Sequence, residues 1–132
     1  MNFRLYLVTL GIFLGIDSFW LGLVAPSFYR SQIGYLMAEN ANFVAAGIFY
    51  LLYIYGLLVF VISPGLKNKS MYENVMRGAL FGLITYATYD LTNFATLQNW
   101  TLLVTVVDMA WGMILCALTA WVSVWAGKKF EL

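Results

Sequence analysis

Long apolar runs broken by turn-forming residues give the chain its rhythm. The runs cover about residues 4–25, 42–62, 77–97 and 101–125. Each holds the roughly 20 residues that an α-helix needs to cross a ~30 Å hydrocarbon layer. Ala25-Pro26, Pro64-Gly65 and Gly127 mark the exits. Ahead of the third run, Ser70 followed by Glu73 fits a capping box, which starts that helix in the interfacial layer several residues before Arg77. Only Gln98, Asn99 and Trp100 separate the last two runs, so these form a tight antiparallel hairpin. The pattern predicts an all-α polytopic membrane protein: one membrane domain over residues 1–132, folded as a bundle of four transmembrane helices. The longest irregular stretch, within residues 26–41, has two readings. Phe28, Ile33, Leu36 and Met37 among polar neighbours suit a short interfacial helix, a lid over whatever lies below; a plain connecting loop is the alternative.

Composition agrees with membrane residence. Apolar side chains make up 63% and charged ones 10% of 132 residues, against roughly 25% charged in soluble domains. Arg4, Lys67, Lys69, Arg77, Lys128 and Lys129 fall on one side of the predicted topology and Arg30 alone on the other. Because cytoplasmic flanks retain Lys and Arg, both termini are expected inside, N-in and C-in. Such a bias also argues against insertion in both orientations. The amino end resembles a signal peptide only superficially, since no A-x-A-like site follows it and Asp17 interrupts the run. It is read as a retained first span.

Several classes of function drop out. A net charge of +1 from scattered basic residues gives no surface for nucleic acid. The chain has no histidine, which removes the commonest metal ligand and the usual general base, and excludes Ser-His-Asp or Cys-His catalysis. No metal set and no cofactor fingerprint is expected. The single cysteine, Cys116, lies in an apolar run and reads as a small buried hydrophobe.

What stands out is acid inside the spans. Asp17, Asp90 and Asp108 lie within the first, third and fourth runs, where a charge at the bilayer centre costs about 2.5–3.5 kcal/mol even on the lenient insertion scale. Asp17 and Asp90 each follow an inner-flank arginine, Arg4 or Arg77, by thirteen residues, about 20 Å of helix. Asp108 comes seven residues after Thr101, about 10 Å down from the opposite surface. All three are therefore expected at one depth, in the outer half. At that level the second run offers Tyr50 and Tyr53 on one face. The third carries the stripe Gly82, Tyr86, Tyr89, Asp90 and Asn93, and the fourth Thr101, Thr105, Asp108, Gly112 and Thr119. Lipid penalises such stripes, so both are expected to face inward.

Asp17-Ser-Phe-Trp20 and Asp108-Met-Ala-Trp111 share a spacing that sets an indole one turn from each carboxylate. The repeated Arg-x12-Asp hints at a duplicated hairpin. Gly11 with Gly15, and Gly78 with Gly82, are G-x-x-x-G pairs that serve either internal packing or a homodimer face.

Two carboxyls would satisfy a polar network, whereas a third adds repulsion with no basic residue inside the spans; Arg30 is the one available counter-ion. The segments Asp17-Ser-Phe-Trp20-Leu-Gly22, Phe43 to Tyr53, Tyr86-Ala-Thr-Tyr89-Asp90-Leu-Thr-Asn93 and Val107-Asp108-Met-Ala-Trp111-Gly112 resemble a bacterial four-helix integral membrane family, domain of unknown function 2177. The resemblance runs over nearly the whole chain and implies an inner-membrane location but no activity. Three functions then compete. A carrier or binding protein would exchange a proton or small cation for a small hydrophobic or cationic ligand held by the aromatic walls. An enzyme would use aspartates as acid and base on a lipid or isoprenoid. A structural or helper subunit of a larger complex would use them to fix helix register.

Overall fold

A computed structural model describes residues 2–132, all helical apart from short connections. Helix α1 (Phe3–Leu23) is capped by the Asn2 side chain, which accepts from the Arg4 amide at 2.9 Å. Pro26 breaks the chain's direction, and a separate helix α2 (Ala25–Ile33) follows, ending in a 3₁₀ turn over Gly34–Leu36. Helix α3 (Phe43–Leu57), capped by Asn42, runs on through a π-helical turn (Leu58–Ile62) into α4 (Ser63–Lys67). Helix α5 (Met71–Thr96) is capped by Ser70, and α6 (Leu102–Lys129) by Thr101.

Pro64-Gly65 was expected to end the second run, yet the rod continues to Lys67. Proline lacks an N–H and its ring crowds the carbonyl four residues back. Here the Ser63 amide instead bonds the Leu58 carbonyl five residues back. One widened turn absorbs the misfit without stopping the helix.

By length and composition, three segments are long and apolar enough to cross a membrane: Phe3–Leu23, Phe43–Lys67 and Leu102–Lys129. This is a multi-pass membrane protein. Of the four transmembrane helices expected, three qualify, and α5 is not apolar enough by the same measure. Its Glu73, Arg77 and Asp90, with several tyrosines, threonines and asparagines, dilute the apolar residues.

Both termini and the α4–α5 connection lie at one end of the bundle. There Lys128 donates to the Asn68 carbonyl at 2.5 Å, and Gly127 packs between Leu66 and Leu5. The buried core fills this half with Leu57, Leu58, Ile62, Leu115, Ala120 and Val124. Helices α5 and α6 make the most extensive contact in the molecule. Glycine permits it: a Cβ on Gly78 would come within 2.6 Å of the Cys116 carbonyl oxygen, and one on Gly82 would collide with the Gly112 carbonyl. Gly11 and Gly15 differ, since the space beside them is open.

Large apolar side chains point outward around the bundle, among them Leu52 (68% exposed), Phe60 (66%) and Leu80 (56%). In water such a surface aggregates; in hydrocarbon it is the right solvent-facing side.

Candidate functional site

In the half away from the termini the packing turns polar and hollow. Asp17, Asp90 and Asp108, predicted to share one depth, line one chamber of about 360 Å³. All three are buried, Asp90 completely. No Lys or Arg is among the described residues lining it.

Each carboxylate is held differently. Asp17 accepts from the Tyr50 hydroxyl at 2.8 Å and from the Trp111 indole N–H at 3.2 Å. Asp108 accepts from the Tyr29 hydroxyl, whose oxygen in turn accepts from the Trp20 indole N–H at 3.2 Å. Burial, then the neighbouring Asp108 carboxylate, pushes the Tyr29 phenol above its usual range, so it remains a donor. Asp90 lies within hydrogen-bonding reach of Asp108, a contact that needs a proton on one of the two; no other side chain or amide donates to either Asp90 oxygen.

The two Asp-x-x-Trp pairs do not serve themselves. Trp111 of α6 binds Asp17 of α1, while Trp20 of α1 reaches Asp108 of α6 through Tyr29. The exchange brings the two indoles face to face, 4.6 Å apart and within 8° of parallel. Offset stacking of this kind adds about 0.5–1.5 kcal/mol beyond area burial. It also locks α1 to α6 at the level of the acids.

Helix α2 forms the roof. Ala25, Tyr29 and Ile33 follow i, i+4, i+8 spacing on its inner face, and Ile33 packs with buried Trp100 and Val104. Beyond it the Tyr35 hydroxyl donates to the Gln98 carbonyl at 2.9 Å, tying the 3₁₀ turn to the α5–α6 hairpin. Within residues 26–41 the chain is helical to Ile33, forms the 3₁₀ turn over Gly34–Leu36 and is irregular beyond it.

Several expected site residues sit elsewhere. Tyr53 is hydrogen-bonded to Thr85 (2.8 Å) and lies 3.1 Å from the Cys116 sulfur, below the chamber. Asn93 is half-buried and neither lines the chamber nor bonds an aspartate. Arg30, the expected counter-ion, is exposed and lines a separate hollow with Glu39 and Tyr35. Its neighbour Tyr29 meets Asp108 in its place. Tyr86 and Tyr89 do reach the site and line two cavities at once. The second cavity, of about 590 Å³, runs between α3 and α5 past Phe49, Tyr53, Thr85 and Thr88 to Asp108.

Sequence reasoning missed Tyr29 and Trp100. The spacing of Ala25, Tyr29 and Ile33 was the available signal for the first. For the second, the Trp100 ring meets Tyr89 edge-on across the hairpin, 5.6 Å between centroids, a contact that residue spacing alone does not disclose.

A buried acidic chamber with aromatic faces attracts positive charge, through the carboxylates and through the ring quadrupoles. The family model described as "Predicted membrane protein (DUF2177)" matches residues 2–125, which include every residue of the chamber. No curated protein and no solved structure matches the chain.

Proposed function

The chain belongs to the DUF2177 family of predicted membrane proteins, and we propose that it is a bacterial inner-membrane protein whose acidic chamber binds and exchanges a small organic cation against protons. All four long helices span the bilayer in this reading, N-in and C-in. Support for α5 as a span comes from its outer face. Tyr72, Met76, Leu80, Ile84, Leu91 and Phe94 form a continuous exposed stripe. The hydroxyls of Thr88 and Thr96 on that helix return to the carbonyls of Ile84 (2.7 Å) and Thr92 (2.8 Å), so they ask nothing of lipid. Orientation rests on Arg4, Lys67, Lys69, Arg77, Lys128 and Lys129 at the end that carries the termini.

One observation carries the ligand class: Asp17, Asp90 and Asp108 share a chamber without a basic side chain, and Asp90 has no donor besides a proton shared with Asp108. Charge there must be matched by protons or by a bound cation. The stacked indoles and the rings of Tyr29 and Tyr89 favour an ammonium with apolar substituents over a hydrated metal ion. Asp90 and Asp108 hold the exchanging proton, Asp17 orients the wall through Tyr50 and Trp111, and α2 closes the outer side. Ligand arrival then displaces a proton from the Asp90–Asp108 pair.

The test is proton release from purified protein in lipid nanodiscs in weak buffer on addition of tetramethylammonium. Saturable release is expected in the wild type and its loss in Asp90→Asn and Asp108→Asn. A wild type that neither binds nor releases protons overturns the proposal. A second reading, acid and base chemistry on a lipid or isoprenoid, draws on the contrast between Asp17 with two donors and Asp90 with only a proton shared with Asp108. An unchanged lipid profile in a deletion strain would remove it.

A further inference from the structure

The cleft between α3 and α5 tells which organic cations fit. Helix α3 packs on α1, and it meets α5 and α6 chiefly at its lower end, through Tyr53 against Phe81, Thr85 and Cys116 and through the π-helical continuation. Above that turn the helices part, and the gap is the larger of the two cavities. Its mouth lies at Phe49 (49% exposed), Thr88 and Tyr89 (55%), beside the outward-facing Leu52 and Ile84. In the membrane reading this mouth faces hydrocarbon.

Of the hydroxyls along the cleft, those of Thr85, Thr88 and Tyr53 are engaged, whereas those of Tyr86 and Tyr89, residues shared with the acidic chamber, make no hydrogen bond. The Thr85 hydroxyl bonds the Phe81 carbonyl (2.8 Å), and Thr88 that of Ile84 (2.7 Å). The Tyr53 hydroxyl is engaged by Thr85 and Cys116. Methyl groups and ring faces make up most of the passage, and at its inner end stands the Asp108 carboxylate. Since Asp108, Tyr86 and Tyr89 also line the acidic chamber, the cleft leads into it. The outer route is covered by α2, with Tyr29 bonded to Asp108 and Ile33 packed on Trp100. The side route is open.

We propose that the ligand is a membrane-borne alkylammonium, its chain lying in the α3–α5 cleft and its cationic head in the acidic chamber at Asp108. This rests on the cation-binding reading above and adds to it the apolar tail and the lateral entry. A cleft of about 590 Å³ lies within the ~300–1,000 Å³ range of small-molecule sites, large enough for a flexible chain. Charge complementarity sets the head at the carboxylates, and the apolar wall sets the tail.

The experiment compares tetramethylammonium with dodecyltrimethylammonium by equilibrium binding to the full chain in nanodiscs. Affinity for the long ligand is referred to its concentration in the bilayer, so that partitioning is not counted as binding. Thr88→Trp fills the cleft at an exposed position. It should weaken dodecyltrimethylammonium at least tenfold while leaving tetramethylammonium within twofold, and Thr88→Leu should act in the same direction by a smaller factor. Asp108→Asn should abolish both. If both ligands bind, Asp108→Asn abolishes both and neither Thr88 variant discriminates them, the chamber stands and the cleft proposal is overturned. If neither ligand binds the wild type, the cation-binding reading fails and takes this proposal with it.

Discussion

A carboxyl group buried without a donor is unfavourable to keep. Asp90 comes nearest to that position, with nothing but a proton shared with Asp108, whereas Asp17 has two donors and Asp108 has Tyr29. Amide for carboxyl at Asp90 removes the charge and leaves the shape, so Asp90→Asn is expected to raise the melting temperature in detergent by a few degrees while abolishing cation-linked proton release. Such opposed effects mark a residue kept for use and not for folding. Scanning fluorimetry beside the proton-release assay checks it, and a destabilised variant would show Asp90 to be structural. The same reasoning sets Tyr29 apart from Arg30. A neutral hydroxyl donates to a buried acid at small desolvation cost, while an arginine head is better solvated outside, and Arg30 is exposed.

Helix pairs respond according to what their small residues face. Gly78 and Gly82 press against the α6 backbone, and the Tyr86 ring covers Gly112 so closely that a Cβ there would collide with it. Gly82→Val is therefore expected to force α5 from α6 and to destabilise by about 1–3 kcal/mol, the usual cost of overpacking. Gly15→Val, in open space on α1, should change monomer stability by less than about 0.5 kcal/mol. Unfolding titrations of the two variants side by side check this, and equal losses would mean that the open face of α1 is covered. The π-helical turn before Pro64 acts on a longer stretch. It sets the face with which Leu58, Val61 and Ile62 meet the core, and above it α3 is free to lean toward α1.

For the chain in its membrane, the distribution of basic residues predicts which surfaces face which compartment. A cysteine at Ser31 in α2 should react with an impermeant maleimide added outside intact cells, and one at Lys69 should react only after lysis. Cys116 is fully buried and should remain silent in both. Labelling of the Lys69 position from outside would invert the topology and with it the direction in which α2 closes the chamber.

Much of this was legible in the order of residues. Apolar runs, Ser70 and Thr101 as helix caps, and the short Gln98–Trp100 turn suffice to locate helices, because each depends on a few adjacent side chains. A shared level along the helices was expected too, since rise per residue in a helix is constant, and Asp17, Asp90 and Asp108 do line one chamber. Rotation and neighbours were not. Spacing sets an indole beside each acid, but the exchange of Trp20 and Trp111 between the two aspartates depends on how α1 and α6 are turned against each other. The span of α5 was expected from hydropathy and breakers, though the helix is less apolar than the other three, and the roof was left open between helix and loop. The spacing of Ala25, Tyr29 and Ile33 marked an inner face, but Tyr29 as a ligand of Asp108 and the cleft between α3 and α5 depend on the neighbouring helices. These arise where residues distant in the chain meet: periodicity along one helix carries its own geometry but says nothing of which other helix stands opposite.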